Sequence, residues 1–465
     1  MKTVQLRLTT LIPVVSLLFS CASPSEFTLP ETSTPSSWQQ AGADSAPSLL
    51  QGQWWKKFND PKLDSLISAV MQTNNDLALA TLTLRKARLA AGLTEIDKLP
   101  TPAFSSAFSD QKNFNSGDTD VSHSVSLSLG YELDLWGRVS ATADAAQWAA
   151  KASAKDREST AQSLIVTTAS LYWKIGYLKQ RLALSLQNIK GIKQVVTLTQ
   201  SKYTNGSAPR LEVLESTQSL YSQKVEYSQL QQQLTETQNA LSILLNQPLQ
   251  EALWSLDKLP ETALPGVSAG IPADLLMRRP DVKSSLYALK SALASKDAVD
   301  AGYFPKISLT SSLGFSSSQL VELLKNPIGT LGADLALPFI NWHEMKLNKK
   351  ISAIDYQMTV VNYRETLYQA FSEVSNFLSA RQQYQYQGDI LTEQYTTAKE
   401  VEDIYAGKYN FGAINMVDWI DAMETRRNVE ASVLENRYNQ FVTLAKIYQS
   451  LGGADIVQLS LLDNQ

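Results

Sequence analysis

From Val121 to Leu135 the chain alternates with a period of two. Val121, Val125, Leu127, Leu129, Tyr131, Leu133 and Leu135 take the odd positions, His123 being the exception, while Ser122, Ser124, Ser126, Ser128, Gly130, Glu132 and Asp134 take the even ones. Successive side chains of a strand point to opposite faces, so the pattern predicts a long strand with one apolar and one small polar face. Ile307, Leu309, Leu313 and Phe315 alternate in the same way with Lys306, Ser308, Thr310, Gly314 and Ser316, and Leu331, Ala333, Leu335, Leu337 and Phe339 repeat the theme. A weaker fourth segment lies around Phe104 and Phe108. An apolar face suits lipid and a small polar face suits a water-filled lumen, the alternation expected of a barrel strand with roughly 9–11 residues in the membrane. Tyr131, Trp136, Phe339 and Trp342 fall near strand ends, where an aromatic girdle sits in such barrels.

Elsewhere the apolar period is seven. Leu164, Leu171 and Leu178 form one row, and Ile175, Leu182, Ile189 and Val196 form an interleaved one, which together make a heptad seam. A second seam runs through Leu347, Ile351, Ile354, Met358 and Val361. The prolines leave room for helices of this length: none lies in 62–99, 103–208 or 210–247, or after Pro338. A helix over 138–203 is about 100 Å long at 1.5 Å per residue, so two long coiled-coil hairpins are predicted rather than a compact fold.

The chain also repeats itself. Asp76 matches Asp281 and Pro100 matches Pro305 at a shift of 205, and Tyr203 matches Tyr409 and Gly206 matches Gly412 at 206. Lys202-Tyr203-Thr204-Asn205-Gly206 before Leu211-Glu212-Val213-Leu214-Glu215 parallels Lys408-Tyr409-Asn410-Phe411-Gly412 before Val417-Asp418-Trp419-Ile420-Asp421. Each half therefore carries two strands and one long hairpin. The predicted boundaries are a first repeat over 63–271, with strands about 102–136 and helices about 138–203 and 209–246. A second covers 272–465, with strands about 304–340 and helices about 343–410 and 416–452. Four strands do not close around a lumen, since the smallest membrane barrels need about eight. Two copies supply eight strands and three supply twelve, and only the larger number leaves an open aqueous bore.

The start of the chain bears on the compartment. Lys2 and Arg7 precede an apolar run from Leu8 to Phe19, which is too short for the ~20 residues that cross a bilayer as a helix and ends in Leu18-Phe19-Ser20-Cys21. This reads as a cleaved secretory signal over 1–20, leaving a segment 21–62 that begins at Cys21. The Leu-x-Ser-Cys ending resembles the bacterial lipoprotein signal, in which the cysteine is acylated; on that resemblance Ala22, which is not acidic, implies outer-membrane sorting. Cys21 is the one cysteine of the 465 residues, so neither an intrachain disulfide nor a cysteine-based metal site is available. No run of 18 apolar residues follows the signal, and a membrane-spanning part must then be a closed barrel. The formal charge of −4 becomes more acidic when Lys2 and Arg7 are lost, and nothing attracts nucleic acid.

The duplicated plan, the lipoprotein start and three motifs resemble the TolC family of outer-membrane factors, in its lipoprotein efflux branch. The motifs are Trp54-Trp55-Lys56-Lys57-Phe58-Asn59-Asp60-Pro61-Lys62-Leu63, Arg278-Arg279-Pro280-Asp281-Val282 and Ala301-Gly302-Tyr303-Phe304-Pro305-Lys306-Ile307-Ser308-Leu309. The resemblance spans the mature chain. It implies a mainly α fold with membrane β, in which a homotrimer forms a 12-stranded β-barrel in outer-membrane lipid continued by a 12-helix α-barrel. It also implies docking to a periplasmic adaptor and an inner-membrane pump, commonly of the resistance-nodulation-division (RND) class. The duct is passive, and its periplasmic gate maps to Val417, Asp418 and Asp421, with Asp418 and Asp421 three apart on one helix face. Tyr409 matches a tyrosine that links neighbouring helices, and Glu212 its acidic partner. An arginine near the gate of some relatives is replaced here by Ile414 and Glu424, which removes that latch.

An enzyme lacks support in these residues. There is no Gly-rich phosphate loop, and His343-Glu344 starts like a zinc-protease motif but has Leu347 where the second histidine is needed. Seven Met and two His form no soft-ligand cluster for copper, so no cofactor is expected beyond a covalent lipid on Cys21. A non-conducting structural lipoprotein would not need duplicated alternating strands. The duct of a type I protein secretion system remains the alternative to a drug-efflux duct.

Overall fold

The computed structural model describes residues 25–32, 53–248, 256–266 and 278–453, and Cys21 lies outside the described residues. They divide into two units, one holding 25–32, 82–155 and 283–366, the other 53–81, 156–248, 256–266, 278–282 and 367–453. The units cut across the two sequence halves, since each draws segments from both, and the two longest helices, 138–204 and 342–410, are divided between them.

The first unit is built on one antiparallel sheet of β1 (Thr101–Lys112), β2 (Thr119–Leu133), β3 (Lys306–Ser317) and β4 (Pro327–Ala336), in the order β1-β2-β3-β4. The register carries the period-two pattern across all four strands. Phe104 faces Leu127, Leu127 faces Leu313, and Leu309 faces Ala333, so their neighbours on that side, Leu129, Leu331 and Leu335, extend one apolar face. Ser105 opposite Ser126 and Ser312 opposite Thr330 share hydroxyl hydrogen bonds on the other face. The apolar face is open in the single chain: Phe104 is 71% exposed, Leu313 60% and Leu331 88%. The outer edges of β1 and β4 pair with no strand among the described residues.

At one end the sheet passes into helices. Gly137, at φ +73°, turns the chain between β2 and α3 (Arg138–Thr204), where a side chain would be strained. Asp134 receives the free N–H groups of Val139 (2.9 Å) and Ser140 (2.8 Å), and Arg138 pairs with Glu132 at 2.8 Å. The Trp136 indole donates to the Pro305 carbonyl at 2.7 Å and stacks on Phe304, and Asn348 donates to the Tyr303 hydroxyl. The motif at 301–309 is thus the joint between helix and sheet.

The second unit contains α1 (Pro61–Thr73), most of α3, α4 (Arg210–Leu244) and α7 (Met416–Ser450). Most of α6 (Trp342–Asn410) also belongs to it, whereas α2 (Asn75–Ile96) and α5 (Pro280–Ala301) lie mainly in the first unit. Asp60 caps α1 through the N–H groups of Lys62 and Leu63 and accepts the Tyr172 hydroxyl at 2.9 Å. Trp54 stacks on Tyr448 (5.3 Å between centroids), and Phe58 packs on Trp173 and Phe441, so the motif at 54–63 is an aromatic plug in the helical core. Arg279, 7% exposed, ties Asp281 (2.6 Å), Glu373 (2.7 Å) and the Ser450 carbonyl together.

The two heptad seams meet different fates. Leu164, Ile175, Leu178 and Ile189 are buried within one chain, whereas Leu347, Ile351, Ile354, Met358 and Val361 are 54–61% exposed. A stripe of that length left in water is the mark of a surface made for another chain.

Candidate functional site

Both long hairpins turn in the same way. Ser207 N–H donates to the Lys202 carbonyl (2.8 Å) and Gly206 N–H to Tyr203 (3.0 Å); Ala413 N–H donates to Lys408 (2.9 Å) and Gly412 N–H to Tyr409 (3.0 Å). These bonds satisfy the last helical carbonyls and need a left-handed residue, supplied by Gly206 at φ +73° and Gly412 at φ +71°. The sequence repeat at 202–206 and 408–412 is therefore a repeat of one helix-ending geometry.

The two tyrosines of that repeat differ. Tyr203 is 43% exposed and Tyr409 only 3%. Tyr409, in the last turn of α6, packs with Ile192, Val195, Leu220, Met416 and Ile420, which brings α3, α4, α6 and α7 into one small core at the tips. Its hydroxyl donates to Glu212 of α4 at 2.7 Å, the Lys202 ammonium of α3 lies 3.8 Å above its ring, and Trp419 of α7 sits 5.3 Å away. Burial first, then the hydrogen bond and negative charge of Glu212, push the hydroxyl's pKa above its ordinary value of 10.0. Tyr409 therefore joins all four helices while staying protonated.

Val417, Asp418 and Asp421 lie on the other side of α7, exposed, with Met416, Ile420 and Met423 buried behind them. The fold does not bring them against Tyr409 or Glu212. Asp418 also has a local duty. Its carboxylate accepts the Asn415 N–H at 3.3 Å while Asn415 accepts from the Asp418 N–H, a reciprocal cap that starts α7. The two carboxylates thus stand on a rigid helix start and point away from the core.

Ile414 has no charge to offer and Glu424 makes no ion pair among the described residues, but Arg426, two residues beyond Glu424, does. It pairs with Glu402 of α6 at 2.6 Å and with Glu430, and it reaches Asn188 of α3 at 3.4 Å. Sequence reading missed this tie. The i,i+4 spacing of Arg426 and Glu430 was visible, yet Glu402 is across the hairpin turn and becomes a neighbour only through folding.

Set beside known proteins, the chain matches the family model described as "Outer membrane efflux protein" over residues 66–247 and 271–453. "Toxin and drug export protein A" of Aggregatibacter actinomycetemcomitans is 29% identical over 406 residues, covering 87% of this chain and 89% of that protein. "Probable outer membrane lipoprotein SilC" of Salmonella typhimurium is 26% identical, covering 95% and 97%. The solved structure of the outer-membrane channel OprN superposes with a TM-score of 0.86 at 22% identity, over 93% of this chain and 99% of that one, a likeness of fold.

Proposed function

The chain belongs to the outer membrane efflux protein family, and from that premise we propose that three copies form one passive exit duct, lipid-anchored through Cys21 and gated at the hairpin tips. It is an outer-membrane efflux channel and not an enzyme. The observation that carries the trimeric duct is the sheet: four strands with one apolar face and two edges that find no partner among the described residues. Unpaired edges in lipid are prohibitively costly, so β4 of one copy pairs with β1 of the next until the barrel closes at twelve strands. The exposed stripe from Leu347 to Val361 supports the same assembly, since a neighbouring copy covers it. The two matched segments of the family model, 66–247 and 271–453, support two repeats over 63–271 and 272–465; the signal over 1–20 and the lipidated segment over 21–62 rest on the sequence.

The gate is the ring of Val417, Asp418 and Asp421 from three chains, and Tyr409 with Glu212 holds it shut. Carboxylates brought together around an opening repel, by roughly 4 kcal/mol for a pair at 4 Å in an effective dielectric of 20, so closure depends on contacts behind them. The Tyr409 to Glu212 bond and the Arg426 tie are such contacts. A periplasmic adaptor and an RND-type inner-membrane pump deliver drugs or other small molecules to the duct and supply the energy. The name of the Aggregatibacter relative includes a toxin, which keeps protein cargo as a second reading. Planar-bilayer recording of the purified chain tests the duct: discrete ohmic channels are expected, and a trimer without conductance would refute it. Deleting the chain and measuring both drug susceptibility and protein secretion separates the two cargoes.

A further inference from the structure

Between α3, α6 and α7 of the second unit lies a cleft of about 500 Å³. Its lining includes Arg427, which falls on the buried stripe of α7. Met416, Ile420, Met423 and Arg427 follow one another at steps of four, three and four, all buried. The helix thus places a guanidinium where its period calls for an apolar side chain. Arg427 is 5% exposed, and its Nε and Nη1 have no hydrogen-bond partner. Its neighbour Arg426 is already engaged by Glu402, Glu430 and Asn188. Burial first and the like charge of Arg426 second press the pKa of Arg427 down, and Glu424, Glu402 and Glu226 only partly oppose this. A buried cation in that position is under-compensated.

The charged side chains lining the cleft are Lys190, Lys399, Arg426 and Arg427 against Glu402, Asp403 and Glu430, a small positive excess, and both glutamates are held by Arg426 and not by Arg427. We propose that this cleft binds a small oxyanion, a carboxylate or a phosphate, seated on the Arg427 guanidinium and flanked by Lys190 and Lys399. The planar fork of a guanidinium fits both groups through paired N–H donors, and two ammonium groups add charge without demanding geometry. The volume lies within the range of organic-ligand pockets, about 300–1,000 Å³, so a carboxylate on a larger molecule has room. The inference stands apart from the duct reading, because a channel conducts with or without an anion in this cleft.

The test uses the full chain purified as it assembles. Thermal unfolding and titration calorimetry are run with inorganic phosphate and, separately, with succinate, ionic strength being held constant with sodium chloride so that general screening cancels. A saturable rise in the unfolding midpoint is expected with at least one of them. A response to succinate alone assigns the cleft to organic carboxylates, and a response to both assigns it to oxyanions at large. Arg427→Gln should weaken the apparent affinity at least tenfold while leaving the ligand-free midpoint unchanged or higher, since an unpaired buried charge has gone. Lys190→Gln with Lys399→Gln, which keeps Arg427, should weaken it severalfold. No saturable response in the native protein, or an equal response in Arg427→Gln, would overturn the proposal. So would a lowered ligand-free midpoint in Arg427→Gln with binding unchanged, which would make the guanidinium a packing element.

Discussion

Replacing Tyr409 by Phe removes one oxygen from the tip core and leaves the rest in place. The ring still fills its site beside Trp419, and the Lys202 ammonium still lies over it. What is lost is the 2.7 Å donation to Glu212. A bond to a charged acceptor contributes about 1.5–3 kcal/mol, but Glu212 is half-buried and regains water, which brings the net loss to about 1 kcal/mol per chain. Three chains moving together lose about 3 kcal/mol, which is about a hundredfold in the closed-to-open ratio. We expect Tyr409→Phe trimers in planar bilayers to show a raised resting conductance with an unchanged fully open level. Native resting conductance in a correctly assembled Tyr409→Phe trimer would refute the latch. The direction of the pKa shift supplies a second readout. The folded state holds the Tyr409 proton more tightly than the unfolded chain, so the stabilisation is complete below pH 10.0 and declines as pH rises past that value. Native channels should therefore open progressively above about pH 10, and Tyr409→Phe channels should lack that component.

The strand faces, the gate ring and the anchor are tested separately. Leu129→Arg puts a charge on the apolar face, opposite Pro102 and Ser311, at up to about 2–4 kcal/mol per chain near the membrane midplane. Ser128→Arg faces the other way and should change ion selectivity with little loss of trimer on semi-native gels; equal trimer loss from both would reverse the assigned faces. Asp418→Ala with Asp421→Ala should weaken cation preference and block by multivalent cations, read from reversal potentials. Loss of the Asp418 cap alone should cost the start of α7 about 1 kcal/mol, read from thermal unfolding. Unaltered selectivity in the double variant would make the pair ordinary surface residues. Cys21→Ser behind a conventional cleavable signal should still give membrane-inserted trimers, and their absence from outer-membrane fractions would show that acylation is needed for assembly.

The sequence by itself determined which face of each element is apolar. A strand shows its faces every second residue and a helix every three or four, so the run from Val121 to Leu135 and the seam from Leu164 to Val196 declared their type and their buried side without any distant contact. The repeat of Gly206 at Gly412 likewise marked both hairpin turns, because a left-handed position is a local demand. Only the tertiary structure decided what covers each face. It pairs β2 with β3 across the two halves, and it buries one seam within the chain while leaving Leu347 to Val361 in the open. It also separates two tyrosines that the repeat makes equivalent: Tyr203 is 43% exposed, whereas Tyr409 is buried and meets Glu212, a partner that the family resemblance implied and periodicity did not, from 197 positions away. Arg426 and Arg427 stand side by side in sequence, yet one is satisfied by Glu402 and the other is buried with its Nε and Nη1 unpartnered among the described residues. Periodicity records the chemistry of a face, whereas a charge's partner depends on which helices pack together, and that is set by the summed contacts of the whole chain.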